Sequence, residues 1–173
     1  MTDKVIFVTQ SLQDVRITDV EGVGALRWEG DNLYRWVKYE GSTVLSGGNL
    51  VAHQLSEGGD LLDEVGVVAT ADLSFLAGVV MPDEVPDSSS TARYFWVQVL
   101  GVHAGVSILP HTQTTGNWAL GQYVIGVNGQ AYGTQGQLTA PAYSRNLQLL
   151  ALPTTHTTPT ANVRSVACFV RCL

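Results

Sequence analysis

The sequence predicts an all-β fold: a single-domain β-barrel or β-sandwich with extended loops and an N-terminal arm. Three observations predict it. The run Tyr94-Phe-Trp-Val-Gln-Val-Leu-Gly-Val-His-Ala-Gly-Val-Ser-Ile108 is uncharged and dominated by aromatic and β-branched residues, and the apolar run Val163 to Leu173 answers it at the C-terminus. Turn signals recur at short intervals, at Gly30-Asp-Asn32, Glu40-Gly-Ser42, Ser46-Gly-Gly-Asn49, Glu57-Gly-Gly-Asp60, Pro86-Asp-Ser-Ser-Ser90 and Asn128-Gly129. Between them there is almost no 3.6-residue periodicity, which leaves sheets as the way to bury a core.

The elements follow in chain order. Short strands are expected at Val5 to Val8 and Val15 to Thr18, with residues 1–20 as the arm and residues 21–173 as the domain. Leu33 to Tyr39 alternates so that Leu33, Arg35, Val37 and Tyr39 share one face and Tyr34, Trp36 and Lys38 the other. Both faces mix aromatic and charged groups, which suits core packing with cationic tips at the rim and offers cation–π contacts of Arg35 or Lys38. A hairpin across Gly41 is expected to pair this strand with Thr43 to Leu45. Further strands are expected at Leu50 to Gln54, Val65 to Ala69, Val79 to Met81, Trp96 to Leu100, Val102 to Ile108, Leu147 to Leu152 and Val163 to Cys172, with a turn of helix at Ala71 to Leu76. Asn128-Gly129 suits a two-residue hairpin joining Tyr123 to Val127 with Gln130 to Tyr132, because a type I′ turn needs positive φ twice. The final strand is expected inside a sheet, with Val166, Cys168 and Val170 buried.

Composition bounds the function. In 173 residues, 45% are apolar and 14% charged, enough to bury one core and too few charges to cover the surface. Partners are the obvious cover for such a surface and for open sheet edges. The net charge is −6 and the lysines are Lys4 and Lys38, so no basic stripe exists to neutralise phosphates and no nucleic-acid partner is expected. No apolar run reaches the length of a membrane span, and the apolar stretch at the N-terminus is too short for a signal peptide, so no membrane partner and cytoplasmic synthesis are expected. Cys168 and Cys172 fall on one strand face roughly 13 Å apart, too far to bridge each other. Two buried thiols are the leading reading, beside a metal site or an intermolecular bond.

The search for chemistry finds no Gly-x-Ser-x-Gly elbow, Walker loop, His-Glu-x-x-His or dinucleotide fingerprint. His53, His103, His111 and His156 are scattered singly without metal-ligand spacing. Carboxylates cluster at Asp60 to Glu64 and Asp83 to Asp87, and the second cluster, in a Pro-flanked loop, reads as a solvated acidic loop rather than a Ca²⁺ loop. No catalytic residue, cofactor or metal is expected, and the chain is read as a non-enzyme.

The run Ala77-Gly-Val-Val-Met-Pro-Asp-Glu-Val-Pro86, a polar link, then Tyr94-Phe-Trp-Val-Gln-Val-Leu-Gly-Val-His-Ala104, resembles the small capsid decoration (cement) proteins of tailed bacteriophages, and Asn32-Leu-Tyr-Arg-Trp-Val-Lys38 is similar to a strand found early in them. The likeness covers about half the chain; His103 and the loop Pro110 to Asn117 depart from the pattern. It implies a non-enzymatic virion protein on the outer capsid surface, made in the host cytoplasm, that cements the lattice of the major capsid protein and is commonly a homotrimer. Acidity fits the outer face, away from packaged DNA. The polar stretches 111–117 and 154–162 are the expected contact segments, through His111, Thr112, Thr114, Asn117, Thr155, His156, Thr158 and Asn162. Two rival readings stand beside this one. A trimeric tail or receptor-binding module would use Trp28, Trp36, Trp96 or Trp118 to stack on sugars, and a β-barrel hydrolase would need two carboxylates, or a histidine and a carboxylate, converging in a pocket.

Overall fold

The computed structural model describes residues 10–54, 64–67, 76–88, 91–108, 123–126, 133–135, 147–149 and 164–172. Every regular element among them is a strand, as the turn spacing and apolar runs predict. In chain order these are β1 (Leu26–Glu29), β2 (Asn32–Tyr39), β3 (Leu45–Ser46), β4 (Leu50–His53), β5 (Glu64–Gly66), β6 (Leu76–Val80), β7 (Glu84–Val85), β8 (Arg93–Ile108), β9 (Tyr123–Gly126), β10 (Gly133–Gln135), β11 (Leu147–Leu149) and β12 (Arg164–Arg171).

Five of these strands close on themselves. Pairings run β2-β5-β4-β6-β8 and return from β8 to β2, which makes a small closed β-barrel. The junction of β2 with β5 is parallel and the other four are antiparallel. Closure removes edges within the ring. Its interior is filled by Val37 and Tyr39 of β2, Val51 of β4, Val65 of β5, Val79 of β6 and Phe95, Val97 and Val99 of β8, all fully buried. Tyr39 and Phe95 meet edge to face at 6.3 Å.

β8 is long enough to serve twice. Residues 93–100 pair with β2, while residues 100–108 pair with β12 and Ile108 pairs with Gly133 of β10. Through β10, β9, β11 and β12 the hydrogen bonding returns to β8 as a second circuit. The expected strands Trp96 to Leu100 and Val102 to Ile108 are thus one strand that bends at Gly101, whose φ is +105°. β12 lies between β11 and β8, with Val166, Cys168 and Val170 buried as expected.

Other expectations are corrected. No hairpin forms across Gly41: Leu45 and Ser46 pair with β7 instead. The chain after Tyr39 folds back over its own ring, where the Tyr39 hydroxyl donates to the Thr43 carbonyl at 2.6 Å and accepts from the Thr43 amide. A side chain at Gly41 would run into the Tyr39 ring, so this return needs glycine. The hairpin partner of β2 is β1, across Gly30-Asp31, with φ at Gly30 of +57°. Val15 to Thr18 is not a strand and contributes a single bridge, Arg16 with Tyr94. Leu76, expected at the end of a helical turn, opens β6. Val5 to Val8, residues 71–75 and the Asn128-Gly129 turn lie outside the described residues.

Candidate interaction surface

The outer face of the barrel carries a second apolar cluster. Trp36 and Trp96 sit directly opposite each other on β2 and β8, both fully buried, with ring centroids 5.2 Å apart and planes at 61°. Residues so large on the outer face need a cover. The segment 10–25 supplies it, packing Leu12, Val23 and Ala25 against Tyr34, Trp36 and Trp96.

Backbone hydrogen bonds fasten this strap. Arg16 and Tyr94 exchange two bonds of 2.9 Å, the Gly24 amide donates to the Trp36 carbonyl, and the Trp36 amide donates to the Ala25 carbonyl. Asp19 is the strap's pin. Its Oδ1 accepts from Trp36 Nε1 at 3.0 Å and from the Gly22 amide, and its Oδ2 accepts from the Val23 amide at 2.9 Å. Arg27 of β1 closes the other side. Its guanidinium lies 5.9 Å from the centre of the Trp96 ring, donates to the Gln10 carbonyl at 2.6 Å and pairs with Glu29. This cation–π contact replaces the one expected from Arg35 or Lys38.

Outside these clusters six large apolar side chains among the described residues stand in solvent: Ile17, Val20, Leu26, Trp28, Val44 and Val102. Four of them lie on the strap and the neighbouring strand β1. Among the described residues β1 pairs with β2 alone, and none of them takes its second edge.

Titratable groups gather at the far end of β2. Lys38 Nζ lies 2.5 Å from Glu40 Oε1 and faces Glu64 across the parallel junction. The ion pair with Lys38 lowers the Glu40 carboxyl from its ordinary range, while burial and the neighbouring Glu40 raise that of Glu64. Lys38 attracts both carboxylates, and the charge of Glu40 is one of the causes that raise Glu64. Burial lowers the pKa of His103, whose Nδ1 accepts from the Gly105 amide at 3.1 Å and whose other nitrogen therefore carries the proton of the neutral ring. Cys168 and Cys172 are free and buried. Burial pushes both thiols up to about 12. Among the described residues no group of histidine, cysteine and carboxylate side chains is arranged to hold a metal ion.

The expected contact residues His111, Thr112, Thr114, Asn117, Thr155, His156, Thr158 and Asn162 lie outside the described residues, as do His111 to Asn117 and Thr154 to Asn162 as segments. Trp36 and Trp96 are core residues with no face for a sugar. Of the exposed set on the strap and β1, the sequence singled out Trp28 alone, as a candidate for stacking on sugars. For Leu26 the signal is the alternation Leu-Arg-Trp-Glu next to the Gly30 turn. No family model and no curated protein matches the chain.

Proposed function

We propose that this chain is a virion structural protein that binds the outer surface of a capsid and cements the lattice of the major capsid protein, acting as a homotrimer without catalysis or cofactor. The observation that carries the reading is the combination of a closed barrel with exposed apolar side chains at Ile17, Val20, Val44 and Val102. A barrel without internal edges offers a platform, and apolar groups left in solvent on a low-charge surface suit contacts with other proteins. The resemblance of residues 77–86 and 94–104 to capsid decoration proteins supplies the kind of partner. Many modest contacts repeated over a closed shell gain from multivalency and stabilise the assembled state by mass action.

The test is thermal DNA release from particles with and without the protein bound. Release at a higher temperature from decorated particles supports cementing. Identical release curves, with binding demonstrated, overturn it. Trp28, 61% exposed, favours one second reading, a receptor-binding module that stacks a sugar on this indole; quenching of Trp28 fluorescence by glycans, absent in Trp28→Ala, would support it.

A further inference from the structure

We infer that β1 is a self-association edge, at which two copies of this chain pair antiparallel about a two-fold axis centred on Trp28. This contact goes beyond the capsid reading and stands or falls independently of it. The argument begins with the backbone. The Trp36 amide donates to the Ala25 carbonyl, so Ala25 faces β2; alternation then turns Arg27 and Glu29 toward β2 and directs the amides and carbonyls of Leu26 and Trp28 to the second edge. Trp28 can therefore exchange two hydrogen bonds with its own copy.

The side chains select the register. With the axis at Trp28, the two tryptophans lie opposite each other, and each Leu26 lies diagonal to the partner's Trp28 on the same face. Leu26 and Trp28 are 53% and 61% exposed, so this face has apolar surface to bury. On the other face the same register sets Arg27 opposite the partner's Glu29, and Glu29 opposite the partner's Arg27. The Arg27–Glu29 pair within each chain thereby becomes a ring of four alternating charges. An axis at Arg27 would instead oppose two guanidiniums, and like charges directly across a sheet are destabilising. The sequence Leu-Arg-Trp-Glu is thus self-complementary in one register, in the isologous way that a two-fold interface requires. A trimer built through another surface remains compatible with it.

The experiment measures mass and cross-linking on the full chain. A four-residue edge belongs to the weak class of interfaces, so sedimentation is run up to ~100 µM. The wild type is expected at an even number of copies. Arg27→Glu, which sets two glutamates against each other, is expected to halve that mass, and the swap Arg27→Glu with Glu29→Arg to restore it. Trp28→Cys is expected to form an intermolecular disulfide, since opposed Cα atoms lie about 5.5 Å apart in a hydrogen-bonded pair. Val44→Cys and Val102→Cys, equally exposed but off the edge, are not, and the buried native thiols do not compete. A mass that Arg27→Glu leaves unchanged overturns the inference, and so does a Trp28→Cys cross-link no more abundant than those at Val44 and Val102. If Arg27→Glu does not fold, the cysteine series alone decides.

Discussion

Replacing Asp19 with alanine tests the claim that the strap 10–25 is structural cover for the tryptophan pair. Three donors converge on this carboxylate: Trp36 Nε1 and the Gly22 amide on Oδ1, and the Val23 amide on Oδ2. Asp19 is exposed, so water can follow the lost carboxylate to the Trp36 indole N–H, and the cost is that of a hydrogen bond to a charged group, about 1.5–3 kcal/mol. Gly22 is exposed and Val23 half-buried; water can satisfy both amides, leaving roughly 0.5–1 kcal/mol for the lost turn. The sum is about 2–4 kcal/mol, a large share of the stability of a domain this size. Urea unfolding followed by tryptophan fluorescence should show the midpoint fall by about 1–2 M at an m-value near 2 kcal/mol/M. Amide exchange should report the place, with Arg16 and Gly24 losing protection, because their amides are held by Tyr94 and Trp36. Asp19→Asn keeps one acceptor oxygen and should fall between wild type and alanine. An Asp19→Ala midpoint within error of wild type, with Arg16 and Gly24 still protected, would refute the reasoning.

Three further outcomes are expected. Because burial raises both thiols to about 12 from an ordinary value of 9.0, the folded state holds these protons more tightly than the unfolded chain. Stability should therefore be complete below about pH 9 and fall as pH rises toward 12, by up to ~1.4 kcal/mol per pH unit for each thiol; the double variant Cys168→Ala, Cys172→Ala should flatten that slope. His103 has a lowered pKa, so the unfolded state binds its proton first on acidification, and stability should fall below the ordinary histidine range in wild type but less in His103→Gln. Deleting the last ten residues removes the strand that pairs with both β8 and β11, and no cooperative melting transition should remain.

The strands that were legible in the sequence are those whose own residues decide them. β2, β12 and most of β8 alternate or run apolar for eight residues or more, and only a sheet buries both of their faces. β1 was not legible, because four residues of alternation, two of them charged, are too short to mark a strand, and it is held as the hairpin partner of β2. The hairpin across Gly41 failed for a different reason. Glycine signals that the chain turns, and whether it returns to its own strand depends on a free edge, which β2 lacks at Lys38 and Tyr39 because β5 and β8 take both sides. The outer tryptophan cluster was half legible: Trp36 and Trp96 were visible as apolar strand residues, but their cover joins Asp19 to Trp36 over seventeen positions. The cluster of Lys38, Glu40 and Glu64 was hidden in the same way, since the parallel junction of β2 with β5 is what brings Glu64 beside Lys38.

The bend at Gly101 is where the two circuits are joined, and Asn32 holds it. Asn32 Oδ1 accepts from the Val102 amide at 3.1 Å and from Gln98 Nε2 at 3.3 Å, and Gln98, almost fully buried, also donates to the Leu100 carbonyl. These bonds span the point at which β8 leaves β2 and joins β12. A Cβ at position 101 would fall inside contact distance of Asn32 Oδ1, so Gly101→Ala adds a collision to the strain of a left-handed φ, which alone costs about 1–2 kcal/mol. Asn32→Ala removes the colliding atom but leaves the buried Gln98 amide short of an acceptor, a loss of about 1–3 kcal/mol. The two substitutions should therefore be non-additive, the double variant being more stable than the sum of the singles predicts by at least about 1 kcal/mol. Each single variant should also lower amide protection in β2 and β12 together, because one bond network anchors both to the same bend. Additive costs, or protection lost in β12 while β2 is untouched, would mean that the circuits are joined by the continuity of β8 alone and not by the Asn32 contacts.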